Sequence, residues 1–248
     1  MAPGHLVAIA LVPLLAFALS RAGRRGPRAD RAVRLGLAAA LALNELAWYA
    51  HVVGQGWVDP PFGLPLDLCD LALWGTVLVL VRELPRAREV LYYLALAGTG
   101  MAVLTPDLGP DVPAYVAARF FVAHGGIVTS ILYLVLTGAI RPGPGSWLRA
   151  LLWVNLYALA IGLFDWVFGT NYFYLREKPA GATLLDWLGP WPWYIVAGEV
   201  VAAALFFLLS LPFRTGGDPA TLAARSRATR EPAARADPGD APHRRDHP

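Results

Sequence analysis

The stretch LVAIALVPLLAFALSRAGRRGPRADRAVR, residues 6–34, decides the fold class. Residues 6–19 are uncharged and apolar, and Arg21, Arg24, Arg25, Arg28, Arg31 and Arg34 follow in one block. A secretory leader carries its positive charges ahead of the apolar core. Here the order is reversed, which predicts a retained first helix with its N-terminus outside and the arginines inside.

Further apolar runs follow at 33–53, 65–81, 90–104, 118–140, 148–168 and 192–213. Each approaches the roughly 20 residues that cross a bilayer as helix. The chain is 56% hydrophobic and only 16% charged, well below the ~25% charged of a soluble domain. A membrane β-barrel would instead alternate in strands of about ten residues. The expectation is an all-α, polytopic transmembrane helix bundle of about seven spans, with the C-terminus cytoplasmic.

Charge placement fixes that orientation. All of the 21 basic residues except Arg119, Arg176 and Lys178 fall in alternate connections and the C-terminal tail, as the positive-inside rule requires of cytoplasmic segments. Residues 1–213 read as one transmembrane domain. Residues 214–248, rich in Arg, Ala and Pro, read as a disordered cytoplasmic tail. Arginine in place of lysine almost throughout suggests a high-GC bacterium, hence a multi-pass protein of the plasma (inner) membrane. The basic pI of 9.2 reflects topology and implies no nucleic-acid partner.

Ionisable groups within spans are costly and mark sites. By this orientation Glu45 and His51 lie in the outer half of the second span, and Asp67, Cys69 and Asp70 in the first turns of the third. His124 lies about 8 Å past Arg119 in the fifth. Asp165 and Glu199 lie near the outer ends of the sixth and seventh. Asn44, Trp48 and His51 share a helix face. One leaflet holds nearly all of them, which predicts an outward-facing polar cavity lined by Glu45, His51, Asp67, Asp70, Asp165 and Glu199.

Cys69 and His124 are the pair with nucleophile–base character. A helix N-terminus favours the thiolate and the flanking Asp67 and Asp70 oppose it, so a base is needed; Asp70, Glu45 or Asp165 would orient the imidazole. A zinc site ranks lower, with only one thiolate and one imidazole to offer, and neither metal nor cofactor is expected. Above the cavity, residues 171–194 are dense in Trp, Tyr, Pro and Gly, and Asn171, Tyr172, Arg176 and Lys178 are candidate contacts for a phosphate or carboxylate headgroup. The one cysteine excludes an intramolecular disulfide.

LPLDLC (64–69), LTPDL (104–108), FFVAHGGI (120–127), NYFYLREKP (171–179) and LLDWLGPWPWYI (184–195) together resemble the YwaF-like integral membrane proteins, which include animal transmembrane protein 164. The resemblance covers roughly residues 45–213. It implies a cysteine-dependent acyltransferase acting on ether phospholipids, with Cys69 and His124 as the working pair. The family's LPL is often followed by His or Gln where this chain has Asp67, which changes the charge beside the cysteine.

Three functions therefore stand. The first is acyl transfer or acyl hydrolysis on a membrane phospholipid through a Cys69 thioester. The second is a transporter or small-ligand binding protein using the acids of the cavity, and the third a non-catalytic structural member. The partners implied are phospholipid and the bilayer, and the oligomeric state is left open.

Overall fold

The computed structural model describes residues 3–106, 108, 112–179 and 184–214, and among these there is helix and no strand. The long helices are α1 (Pro3–Gly23), α2 (Pro27–Gly54), α6 (Ala114–Leu136), α7 (Ser146–Phe168) and α8 (Trp193–Arg214). These five are long and apolar enough to cross a membrane by length and composition. Between α2 and α6 lie α3 (Leu68–Val81), α4 (Pro85–Tyr93), a π-helical stretch (Leu94–Thr99) and α5 (Gly100–Leu104). The last three run on without a break, so helix lies at each of the predicted apolar runs. One compact unit comprises Met1–Leu211. Of Pro212–Pro248 the structure describes only the end of α8; the expected tail from 215 onward lies outside the described residues.

The hub is α6. Some 56% of its span is buried, against 17% for each of the other four long helices. It packs against α1, α2, α3, the π stretch and α5. Two consecutive glycines permit this closeness, since in a membrane small residues let helices approach where lipid supplies no hydrophobic drive. A Cβ on Gly126 would stand 2.8 Å from Leu41 of α2, and one on Gly125 would stand 3.2 Å from Val12 of α1. The pair follows His124 directly, so the packing that seats α6 also fixes the height of that histidine.

α3 is only 14 residues long, about 21 Å at 1.5 Å per residue, well short of a ~30 Å hydrocarbon core. The chain therefore approaches α3 as irregular backbone, which in a membrane must find its hydrogen bonds within the protein. Side chains supply them. Tyr172 Oη donates to the Pro61 carbonyl at 2.8 Å and accepts from the Leu64 N–H at 2.6 Å. Tyr157 Oη donates to the Leu66 carbonyl at 2.6 Å. The Asp67 N–H is capped by the Asp70 carboxylate at 3.1 Å, which starts the helix.

In the π stretch the Gly100 N–H reaches back to the Ala95 carbonyl, one residue further than in an α-helix. Such an insertion re-aims the side chains around it and often marks a functional site. At the end opposite α3's start, Tyr133 Oη donates to Asp30 at 2.5 Å, Arg34 pairs with Asp30 at 2.9 Å, and Arg24 donates to the Leu136 carbonyl. These contacts tie α1, α2 and α6 at that end.

Candidate functional site

Two adjoining cavities occupy the region above and beside the start of α3. The first, a vestibule of about 600 Å³, is lined by Trp48, Tyr49, Phe62, Asn171 and Tyr172 among others. The second, of about 480 Å³, is lined by Cys69, His124, Thr99, Phe120 and Phe173. Glu45, Asp67, Asp70, Arg119 and Tyr174 line both, so the two spaces meet along a charged seam.

Cys69 lies in the first turn of α3, half-buried. His124 comes from α6 and is 8% exposed. Its Nδ1 lies 2.9 Å from the Phe120 carbonyl one turn earlier. A carbonyl only accepts, so Nδ1 carries the hydrogen and Nε2 is left as a proton acceptor. The imidazole also stacks on the Phe120 ring at 4.0 Å. Its orientation thus comes from its own helix. None of the three carboxylates expected to orient it bonds it: Glu45 and Asp165 are engaged elsewhere, and Asp70 caps α3.

Glu45 is 1% exposed, and both its oxygens accept from Arg119 Nη2 at 2.8 and 2.9 Å. The guanidinium carbon lies 4.6 Å from the Trp48 ring centroid. The pair joins α2 to the first turns of α6 at the seam between the cavities. Sequence reasoning missed it. The available signal was a lone arginine near the start of a predicted span, among carboxylates expected at similar height.

Three residues expected as cavity lining are held by partners of their own and are not among the lining of either cavity. His51 stacks on Trp48 at 5.7 Å and meets Trp57 edge-on at 5.5 Å, an aromatic cluster beside the vestibule. Asp165, fully buried, uses Oδ1 to accept from Thr170 Oγ1 at 2.6 Å and from the Tyr172 N–H at 3.0 Å. It fastens the loop beyond α7. Glu199 accepts from Asn155 Nδ2 at 2.7 Å and so tethers α8 to α7.

The loop residues named as headgroup contacts are placed unequally. Asn171 and Tyr172 line the vestibule. Asn171 Oδ1 also accepts from the N–H groups of Arg176 and Glu177, and its Nδ2 donates to the Glu177 carbonyl, so it folds the loop upon itself. Burial pushes the Tyr172 phenol above its ordinary value, which keeps it a neutral donor. Arg176 donates to the Thr170 and Asp165 carbonyls at 3.2 and 3.5 Å. Lys178 pairs with Asp186 at 3.5 Å and lies 5.5 Å from the Tyr194 ring centroid. Both cations are thus engaged with their own loop.

The lid over the Cys69 cavity is strained. Phe173 and Tyr174 sit at φ 60° and 53°, a left-handed conformation that bulky side chains rarely adopt. Each such residue costs of order 1–3 kcal/mol and persists only where its surroundings hold it. Here the Phe173 N–H donates to Asp67 Oδ1 at 3.2 Å, and the Tyr174 carbonyl accepts from Tyr194 Oη at 2.6 Å. Asp67, two residues before the thiol, is thus the link between lid and helix. Among the described residues no group of three or more His, Cys, Asp or Glu is arranged to hold a metal.

Compared with known proteins, residues 1–210 match the TMEM164 family. No protein of curated function and no solved structure matches the chain.

Proposed function

The chain belongs to the TMEM164 family, and from that premise we propose that it is a membrane acyltransferase working through a thioester on Cys69. The observation that supports this best is the shared cavity, with Cys69 on one wall and His124 on the other, and with Nε2 of His124 left unprotonated by the Nδ1 bond. His124 removes the thiol proton as sulfur attacks the carbonyl carbon of a phospholipid acyl ester. The S–C bond forms, the ester C–O bond breaks, and the departing lysolipid oxygen takes the proton from His124. An acceptor hydroxyl then attacks the thioester. His124 takes its proton and returns it to sulfur, giving a new ester and the free thiol; with water as acceptor the outcome is hydrolysis.

In this reading the chain crosses the inner membrane about seven times with its N-terminus outside. Both cavities then open towards the outer leaflet, and the vestibule takes the polar head. With Arg176 and Lys178 engaged, Asn171, Tyr172 and the seam residues are its contacts.

The test is chemical. Purified protein given phospholipid should carry a hydroxylamine-labile acyl group, found by mass spectrometry on the peptide holding Cys69 and absent from Cys69→Ala. In His124→Ala the adduct should form at least about a hundredfold more slowly. An unmodified wild-type cysteine, together with unchanged lipid turnover in Cys69→Ala, would refute the covalent route.

A further inference from the structure

A third cavity of about 1030 Å³, larger than the other two, lies on the flank of the bundle between α3, α4 and α7. Small-molecule pockets run from about 300 to 1,000 Å³, so this space stands at the upper end of that range and has room for a long ligand. Its walls are apolar for most of their length, including Leu71, Val90, Leu94 and Leu156. Leu71, Trp153 and Leu156 remain 40%, 61% and 49% exposed along its rim, so it opens sideways towards the bilayer.

The polar groups gather at one end. Arg86, Glu89 and Arg149 line the mouth there, two cations against one anion. Glu89 takes Arg149 at 2.8 Å and also accepts from the Gly143 N–H at 3.0 Å, so that carboxylate is already engaged. Arg86 is exposed and makes no ion pair or hydrogen bond among the described residues. From Arg86 to Leu94 the groove runs about 12 Å along the helix. A free arginine at the membrane-surface end of an apolar slot matches one occupant in charge and shape: a phosphate with an acyl chain attached. Basic pockets between membrane helices bind anionic headgroups for this reason.

We propose that this groove is a binding site for an anionic phospholipid of the leaflet on the arginine side, with its phosphate on Arg86 and one chain lying between α4 and α7. The site is separate from the chemistry at Cys69 and does not depend on it.

The experiment uses the full chain in nanodiscs of phosphatidylcholine mixed with phosphatidylglycerol in equal parts, with co-released lipid counted by native mass spectrometry. Wild type should retain phosphatidylglycerol in preference to phosphatidylcholine. Arg86→Gln should lower that preference about fivefold, and Val154→Trp, which fills the groove from α7, should abolish it at an unchanged melting temperature. Cys69→Ala should retain lipid as wild type does, so that failure of the thioester mechanism leaves this result intact. The site is refuted if wild type retains both lipids equally, if Arg86→Gln retains phosphatidylglycerol in full, or if inorganic phosphate protects against unfolding as well as the lipid does. A dimer across this face that excludes lipid would also refute it. Should Val154→Trp fail to fold, Arg86→Gln decides alone.

Discussion

Without the Glu45 carboxylate, Arg119 would stand in the seam with its charge uncompensated. Breaking a buried pair costs about 3–5 kcal/mol, and the lower figure applies here because the Arg119 side chain is still 18% exposed. Glu45→Gln should therefore destabilise the protein by about 3 kcal/mol, and the double variant Glu45→Gln with Arg119→Met should recover much of it. A double-mutant cycle on unfolding in detergent measures the coupling; additive effects would show that the two side chains do not depend on each other. The Tyr172 hydroxyl acts through backbone. Tyr172→Phe removes the acceptor of the Leu64 N–H and the donor to Pro61, at a cost of about 1–3 kcal/mol. Because that segment leads into α3, Cys69 should also become faster to alkylate. An unchanged maleimide rate would mean that the thiol is held by α3 alone.

At the scale of elements, the glycine pair of α6 carries close contacts to α1 and α2. Gly126→Val forces Leu41 out of its place, an overpacking worth about 1–3 kcal/mol. Thermal unfolding should show the loss, and Gly36→Val, with nothing near its Cβ position, should show little. The helices themselves were legible in the sequence because runs of apolar residues with so little charge admit few other structures. Their faces were not. In a bilayer the lipid-facing side of a helix is as apolar as the protein-facing side, so periodicity does not say which way α6, α7 or α8 turns. Depth along a span gives a residue's height but not its azimuth, which is why Glu199 was expected in the cavity and instead meets Asn155. Cys69 and His124 were expected together because both lie near the start of a span at similar height, and they line one cavity. The π stretch had no such signal, since a one-residue shift in hydrogen bonding leaves composition untouched, yet it brings Thr99 to the cavity wall.

For the whole molecule, orientation is the property most open to direct measurement, and the single cysteine makes it simple. In a Cys69→Ala background, a thiol at Trp187→Cys, where the native side chain is 89% exposed, should react with an impermeant maleimide in intact cells. One at Pro144→Cys, in the turn before α7, should react only after permeabilisation. The opposite pattern would invert the topology and place both cavities against the cytoplasmic leaflet.

α7 has one further property. The ring of Tyr157 forms part of the lipid groove, while its hydroxyl holds the Leu66 carbonyl, three residues ahead of Cys69. The same side chain therefore touches both the bilayer-facing slot and the backbone that presents the thiol. Tyr157 is thus one side chain shared between the groove wall and the backbone that leads into α3.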